Sequence, residues 1–335
     1  MSQYIYHHDN TNLNPHNIRT FIRTLNVDTI FRENYNNSRS TDFLLSLKDP
    51  LKNVVSIKLS SLELPNMWYE FSSAEKTNEF TINCFNIPAL DVSGDYAPYD
   101  EVYKIIIPDG NYLSNEFENS LNNMFINIGR GLKFIRYEID MITTKSTFRS
   151  ANQDDVTAYG NEYPYEILYG TDFFFTLQFE IPNLPLAKTA GWMMGFRDTT
   201  YESDYTKTNI KLIHAEPHIN RNYIASESSY GSNVHNYVYL EIDDFQRNCI
   251  TDRVISINKS YLASSILARI TIHGGQHTIV VDNASDLVFK KRTYFGPTKL
   301  DRFRVRLLDR YGEVIELNGN DYSFVLEIEQ LYSHS

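Results

Sequence analysis

The fold is decided by two segments, DFLLSLK at residues 42–48 and NVVSIKLSSLELP at residues 53–65. In both, apolar residues occupy every second position, which is the period of a β-strand with one buried face. Phe43, Leu45 and Leu47 share one face, Val55, Ile57 and Leu59 share the next, and Leu62 and Leu64 continue on the opposite parity. The change at Ser60-Ser61 predicts a β-bulge or a bend between sheets. Pro65-Asn66 predicts the end of the strand.

The same period recurs in six more segments, so the chain is predicted to contain about ten strands. These segments are EFTINCF (79–85), DFFFTLQFEI (172–181), YVYLEID (237–243), ILARITI (266–272), FRVRLLDRYGEVIEL (303–317) and YSFVLEI (322–328). In ILARITI, the apolar face is predicted to hold Ile266, Ala268, Ile270 and Ile272. Residues 309–312 supply a hairpin turn, and Asn318-Gly319 is a strong signal for another.

One amphipathic helix interrupts the strands. Ser114 or Asn115 is predicted to cap its first turn, where Glu116 and Glu118 suit the positive end of the helix. The apolar stripe at helical spacing consists of Phe117, Leu121, Met124, Phe125 and Ile128, and Gly129 and Gly131 end the run. This stripe is expected to cover part of a sheet.

Many strands with a single helix predict an all-β fold, a jelly-roll β-sandwich with one packed amphipathic helix and a long loop insertion. We predict a flexible N-terminal arm over residues 1–24 and one domain over residues 25–335. A loop-rich insertion is expected at about residues 183–236, with its most polar and least periodic part at 199–236. Two abbreviated sandwiches are the alternative architecture.

Composition restricts the classes of partner. The 335-residue chain has a formal net charge of −11, which argues against nucleic acid as the main partner, although a basic face could coexist with an acidic balance. No apolar run approaches the length of a membrane span, and the N-terminus lacks the pattern of a signal peptide. Cys84 and Cys249 lie within apolar strand patterns, which favours buried free thiols over a disulfide.

Histidine pairs are the first candidates for chemistry. His273 and His277 have the spacing of a helical metal pair, but two glycines separate them and a strand precedes them. His214 and His218 flank Glu216-Pro217 without a third ligand nearby. We therefore expect no metal site and no cofactor.

Acidic and aromatic residues supply the remaining candidates. The pairs Asp154-Asp155 and Asp243-Asp244 are neighbours in sequence, so on a strand their carboxylates would point to opposite faces. We expect solvated turns and no catalytic residues. Tyr159, Tyr163, Tyr165 and Tyr169 could line a sugar-binding groove, but they suit a subunit interface better.

Three phrases of the sequence resemble a known family. NVDTIFRENYNNSRSTDFLLSL (26–47) is followed by NVVSIKLSSLELPNMWYEFS (53–72) and IPDGNYLSNEFENSLN (107–122). Together with the C-terminal segment 294–332, they resemble the single-jelly-roll capsid proteins of nucleocytoplasmic large DNA viruses, the giant viruses. The resemblance covers most of residues 25–150 and 285–332 and leaves the middle of the chain unmatched.

The resemblance implies a structural component of an icosahedral capsid, a penton or minor capsid protein without enzymatic activity. The implied partners are copies of itself in a homopentamer, the major capsid protein and other minor capsid proteins. Neither direct nucleic-acid binding nor a membrane span is expected, although a position near an inner virion membrane is compatible with the family. The implied location is the virion, assembled in the host cytoplasm. The alternatives are a receptor- or glycan-binding spike or fibre head, a minor capsid cement protein and, from the histidines alone, a metal-dependent hydrolase.

Overall fold

A computed structural model describes residues 19–95, 97–151, 155, 173–203, 222–231, 236–249, 265–273, 278–282 and 290–332. The chain divides into two compact units. Unit 1 consists of Met1–Trp68 and His235–Ser335, and unit 2 consists of Tyr69–Val234. Unit 2 therefore lies between two segments of unit 1 in the sequence.

The described residues form fourteen strands, all paired antiparallel, and two α-helices. The strands are β1 (Thr20–Asp28), β2 (Asp42–Pro65), β3 (Glu79–Ile87), β4 (Tyr99–Ile106), β5 (Ile135–Ile139), β6 (Lys145–Ser150), β7 (Phe174–Gln178), β8 (Thr200–Glu202), β9 (Tyr223–Ser229), β10 (Tyr237–Asp243), β11 (Ile266–Thr271), β12 (Ile279–Asp282), β13 (Lys291–Leu308) and β14 (Ser323–Leu331). The helices are α1 (Ser114–Ile128) and α2 (Ala190–Met193). The predicted all-β class of the jelly-roll sandwich kind, with one packed amphipathic helix, is confirmed.

Unit 1 is built around the long strand β2. Its sheet has the order β1-β14-β2-β13-β10-β11, and β12 pairs with the end of β2. The predicted irregularity at Ser60-Ser61 is confirmed, because Ser61 pairs with Val325 while Leu59 pairs with Leu326. Ser60 is the extra residue of this β-bulge, which lets Leu59 and Leu62 both point into the core.

Two expected faces of unit 1 differ from the prediction. The backbone of Asn53 has φ of 57°, and the strand is irregular at the next residues, so Val54 is buried in place of Val55. In β11 a second irregularity places Ile266 in a small cluster with Tyr239 and Leu308, apart from the other predicted members of its face. A strict period of two cannot anticipate such bulges.

The N-terminal boundary also differs from the prediction. Residues 20–24, which the sequence assigned to a flexible arm, are the first part of β1 and pair with β14 from Leu331 to Glu327. Residues 1–18 lie outside the described part of the chain.

Unit 2 contains two sheets and α1. The four-stranded sheet has the order β4-β3-β7-β8, and the three-stranded sheet has the order β5-β6-β9. The helix begins one residue earlier than predicted, with Leu113 at the N-cap and the Glu116 carboxylate accepting a hydrogen bond from its N–H at 3.1 Å. Phe117, Leu121 and Phe125 are buried as predicted, whereas Ile128 is exposed.

The segment predicted as a loop-rich insertion contributes to the core of unit 2. It contains α2, β8 and β9. Its buried apolar residues are Ala190, Met193, Met194, Phe196, Ile224 and Tyr230. Most of residues 199–236 were expected to be a loop, but the described part forms two strands. Residues 204–221 and 232–235 lie outside the described part.

Candidate functional site

The histidine candidates are not brought together in the described structure. His273 follows β11 and is exposed, while His214, His218 and His277 lie outside the described residues. Within the described ranges, no group of three or more His, Cys, Asp or Glu side chains could hold a metal ion. No helix there is long and apolar enough to cross a membrane.

The described members of the two acidic pairs, Asp155, Asp243 and Asp244, make structural contacts. Asp155 forms an ion pair with Arg149 at 2.6 Å, and Asp154 lies outside the described residues. The second pair splits between two environments. Asp243 accepts a hydrogen bond from the N–H of Phe245 at 2.9 Å, whereas Asp244 is buried against Arg292. The expectation of two solvated turns is therefore wrong for Asp244.

Asp244 and Arg292 form a buried ion pair in unit 1. Their side chains are 2% and 4% exposed, and the guanidinium donates to the Asp244 carboxylate at 2.8 Å. It also donates to the carbonyl oxygens of Ile242 and Ser265, while the Tyr294 hydroxyl donates to the same carboxylate. Burial acts to lower the pKa of Arg292, but the charge and hydrogen bond of Asp244 raise it above the ordinary value. This pair keeps two charges inside the unit by satisfying both of them.

A cavity of about 470 Å³ lies beside this ion pair. It is lined by Asp243, Asp244, Phe245, Gln246, Arg247, Cys249, Ser265 and Arg292. Its two most buried charged groups already bond to each other, so the cavity offers no free catalytic acid, base or nucleophile among them. The side chains that are available to a partner lie at the rim of the cavity, where they are exposed.

The rim is a rigid turn that ends in an exposed aromatic ring. Phe245 has φ of 58°, a left-handed backbone that is rare for a bulky residue, and its side chain is 46% exposed. Gln246 fixes the turn to β13, because its amide donates to the carbonyl of Lys299 at 3.3 Å and accepts from Thr298 at 3.0 Å. The Arg302 guanidinium lies 4.6 Å from the centre of the Phe245 ring, a cation–π contact.

A second rigid feature of unit 1 is the turn over residues 29–38, which follows β1. Asp321 holds it from the other side, accepting hydrogen bonds from Thr29 at 2.8 Å, Arg32 at 2.5 Å and Tyr35 at 3.0 Å. Arg32 also donates to the carbonyl oxygens of Thr29 and Ser38. The backbone of this turn is thus fixed by charged side chains that are themselves largely buried.

This turn displays apolar side chains to solvent. Ile30 is 51% exposed and Phe31 is 84% exposed. Phe21 and Ile22, near the start of the neighbouring edge strand β1, are exposed as well. Apolar side chains held outward on a fixed backbone are typical of a surface that binds another protein. We call residues 29–38 the apolar turn.

Unit 2 carries an exposed loop over residues 90–95. The Asp91 carboxylate closes it by accepting hydrogen bonds from the N–H groups of Ser93 at 2.8 Å and Asp95 at 2.9 Å. Leu90 is exposed, and Val92 has its whole side chain in solvent. The loop combines apolar side chains with carboxylates, and we call it the acidic loop.

Both cysteines are free and buried, as the sequence predicts. Burial raises the pKa of Cys84 to about 12, and the charge of Glu101 acts in the same direction. Burial also raises the pKa of Cys249. A thiol of raised pKa is a poor nucleophile at neutral pH, so neither residue is suited to catalysis. The predicted groove around Tyr159, Tyr163, Tyr165 and Tyr169 lies outside the described residues and stays a prediction.

The comparisons with known proteins found matches among solved structures. No protein-family model matches the chain, and no curated protein matches it. The chain is similar to the crystal structure of selenomethionine-labelled mavirus penton protein, with 10% sequence identity and a TM-score of 0.42. The match covers 94% of this chain and 100% of that chain. At this level of similarity, no residue role is transferred from that protein to this one.

Sequence reasoning did not find the apolar turn or the acidic loop. The local signal for the first was present, because Ile30-Phe31 stands between Asp28 and Arg32, outside any alternating pattern. Its rigidity depends on Asp321, which is 289 residues from Arg32 in the sequence. That contact can be recognised only once β1 and β14 are known to pair.

Proposed function

We propose that this chain is a structural, non-enzymatic component of an icosahedral virus capsid and that it serves as the penton at the five-fold vertices. The observation that carries the proposal is the apolar turn, in which buried charged groups hold Phe31 and Ile30 in solvent. The resemblance of residues 26–47, which include this turn, to capsid proteins of giant viruses supports the same role. The mavirus protein is a penton by name, but at its low TM-score the support comes from the turn and the sequence phrases.

The geometry suits assembly because the binding surface is formed before the partner arrives. A fixed turn loses little conformational freedom on binding, so more of the contact energy is retained. Burying an exposed Phe side chain contributes about 1.5–3 kcal/mol. A contact between unlike surfaces, repeated around an axis, closes a ring, and five copies in a ring would fill a capsid vertex.

In this proposal, the direct partners are copies of the chain in a homopentamer, the major capsid protein and other minor capsid proteins. The two units, with β1 from Thr20 onward, would serve together as one capsid subunit. The protein would be located in the virion after assembly in the host cytoplasm.

A sedimentation velocity experiment on three full-length proteins tests the role of the apolar turn. Phe31→Ser removes the exposed ring, and Ile142→Ser is the matched control, since Ile142 is 86% exposed in a turn of unit 2. We expect the wild type and the control to sediment as an oligomer, and Phe31→Ser to sediment as a smaller species with an unchanged circular dichroism spectrum.

A wild-type chain that remains monomeric at all concentrations would contradict the penton assignment. An unchanged oligomer of Phe31→Ser would show that another surface makes the contact.

A further inference from the structure

Charge is distributed unevenly along this acidic chain. Residues 290–306, which include most of β13, contain seven Lys and Arg residues and a single acid, Asp301. Residues 77–103, which include the acidic loop, contain five Asp and Glu residues and neither Lys nor Arg. One segment belongs to unit 1 and the other to unit 2. In the second segment, Glu79 pairs with Lys104 and Glu101 pairs with Arg130, which leaves the acidic loop as the candidate acidic surface.

Most of the cations on β13 already have partners within unit 1. Arg292 pairs with Asp244, and Arg304 pairs with Asp42 at 2.9 Å. The other pairs are Lys290 with Asp282, Lys291 with Glu329 and Arg306 with Glu241. Lys299 and Arg302 are exposed and, within the described residues, form no ion pair.

The unpaired cations lie at the turn that carries the exposed ring of Phe245. Arg302 stacks on that ring, and Gln246 bonds to the carbonyl of Lys299. Arg247 is exposed on the same turn and lines the cavity, again without an ion pair to any described residue. We call Phe245, Arg247, Lys299 and Arg302 the basic rim. An aromatic ring near three cations that form no ion pair with the described residues is suited to a partner that offers both apolar side chains and carboxylates.

The acidic loop has this chemistry. Leu90 and Val92 offer apolar side chains, and Asp95 offers a carboxylate that makes no hydrogen bond or ion pair with the described residues. The Asp91 carboxylate holds the backbone of the loop closed. Val92 is 109% exposed, and hence its side chain is open to solvent.

We propose that the basic rim of one copy binds the acidic loop of a second copy, with Asp95 facing the cations and Leu90 and Val92 lying against Phe245. The inference rests on the proposed self-assembly and assigns one of its contacts. The two surfaces are different, so the contact is heterologous and propagates from copy to copy until a ring closes. A nucleic acid is the less suitable occupant, because most arginines of β13 are already neutralised by carboxylates of unit 1.

Charge reversal on each side tests the contact. Arg302→Glu changes the rim and Asp95→Arg changes the loop, and neither side chain has an ion-pair role within the described structure. Lys52→Glu and Asp49→Arg are matched controls, with the same charge changes at exposed positions of β2. Oligomer mass is measured by native mass spectrometry over a concentration series. Circular dichroism confirms folding, and Lys299→Glu replaces Arg302→Glu if that variant fails to fold.

Each reversal is expected to raise the concentration needed for half-assembly by about tenfold or more, because like charges then face each other. The double variant Arg302→Glu/Asp95→Arg is expected to recover assembly, since every contact then pairs Glu at 302 with Arg at 95 and restores opposite charges. The two controls are expected to assemble as the wild type does.

Three outcomes overturn the inference. If the wild type assembles and both charge-reversal variants assemble equally well, this contact is rejected and the proposed function is unaffected. A monomeric wild type removes the proposed function and, with it, this contact. The third outcome is that the wild type binds a single-stranded DNA oligonucleotide tightly and that Arg302→Glu abolishes this binding without affecting assembly. The basic rim would then be a nucleic-acid site.

Discussion

The two units bury different kinds of side chain. The core of unit 1 is mainly aliphatic and comes from long strands, above all β2, β13 and β14. The core of unit 2 is about half aromatic and comes from short strands and α1. Phe117 illustrates the second kind: its ring stacks on Phe71 at 4.8 Å and meets Tyr137 edge-on at 5.4 Å. A few large rings thus replace many small side chains where the strands are short.

The largest expected effect on stability that distinguishes the two cores comes from replacing one large buried side chain by alanine. Phe117→Ala is expected to destabilise unit 2 by about 5 kcal/mol, because it removes a ring with four aromatic neighbours and leaves a large cavity. Leu326→Ala, fully buried in unit 1, is expected to lose about 3 kcal/mol. Hydrogen–deuterium exchange with mass spectrometry assigns each loss to its own unit.

Phe117→Leu provides the control, since it keeps most of the volume and should lose clearly less than Phe117→Ala. Equal exchange across both units in either alanine variant would show that the two cores do not act separately.

The sequence predicted the aliphatic unit better than the aromatic one. Strands such as β14 are recognised by their alternating apolar and polar residues. The change of parity at Ser60-Ser61 correctly predicted a bulge. In contrast, β8 and β9 lie in a polar stretch where burial depends on contacts with distant rings. Alternation reports which face of a strand is buried, but it cannot report which distant partner covers it.

The candidate surfaces were less predictable still. Asp243 and Asp244 are adjacent and look alike in sequence, yet one closes a turn and the other is buried with Arg292. Arg292 is 48 residues from Asp244 in the sequence, so only the folded structure reveals their contact. The turn that carries Phe31 likewise depends on Asp321, near the far end of the chain, which accepts a hydrogen bond from Arg32.

Among the ion pairs of the described residues, Asp244–Arg292 in unit 1 is the most buried, and its removal should have the next largest effect on stability. Asp244→Asn leaves the Arg292 guanidinium buried without a counter-charge, and we expect a loss of about 3 kcal/mol in thermal unfolding. The matched variant Asp243→Asn changes only a turn hydrogen bond and should lose about 1 kcal/mol. If both variants unfold at the same temperature, the pair is not the stabilising feature of this turn.

Two buried tyrosines should respond to the same substitution in opposite directions. The Tyr137 hydroxyl in unit 2 bonds to Ser146 at 2.7 Å, so Tyr137→Phe should lose about 1 kcal/mol. The Tyr322 hydroxyl in unit 1 is buried and has no hydrogen-bond partner among the described residues. Tyr322→Phe should therefore be stabilising by about 1 kcal/mol. Chemical denaturation of both variants measures the signs, and a loss of stability in Tyr322→Phe would contradict this account.

The smallest effect at neutral pH concerns the cysteines. Burial in unit 2 raises the pKa of Cys84 from its ordinary value of 9.0 to about 12, so the folded state holds the proton more tightly. The resulting stabilisation is fully present below pH 9 and is lost as the pH rises from there towards 12. We expect a thiol reagent at pH 8 to label unfolded chain readily and both cysteines of the folded chain slowly. Rapid labelling of Cys84 in folded protein would mean that the aromatic core opens easily.

The most direct test of the capsid role is the number of copies of this chain in a purified virus particle that contains it. Quantitative mass spectrometry against labelled peptides, with the major capsid protein as the internal reference, measures this number. A penton that fills every five-fold vertex predicts about 60 copies, five at each of twelve vertices. Absence of the chain from particles, or a copy number in the hundreds, would contradict the proposal.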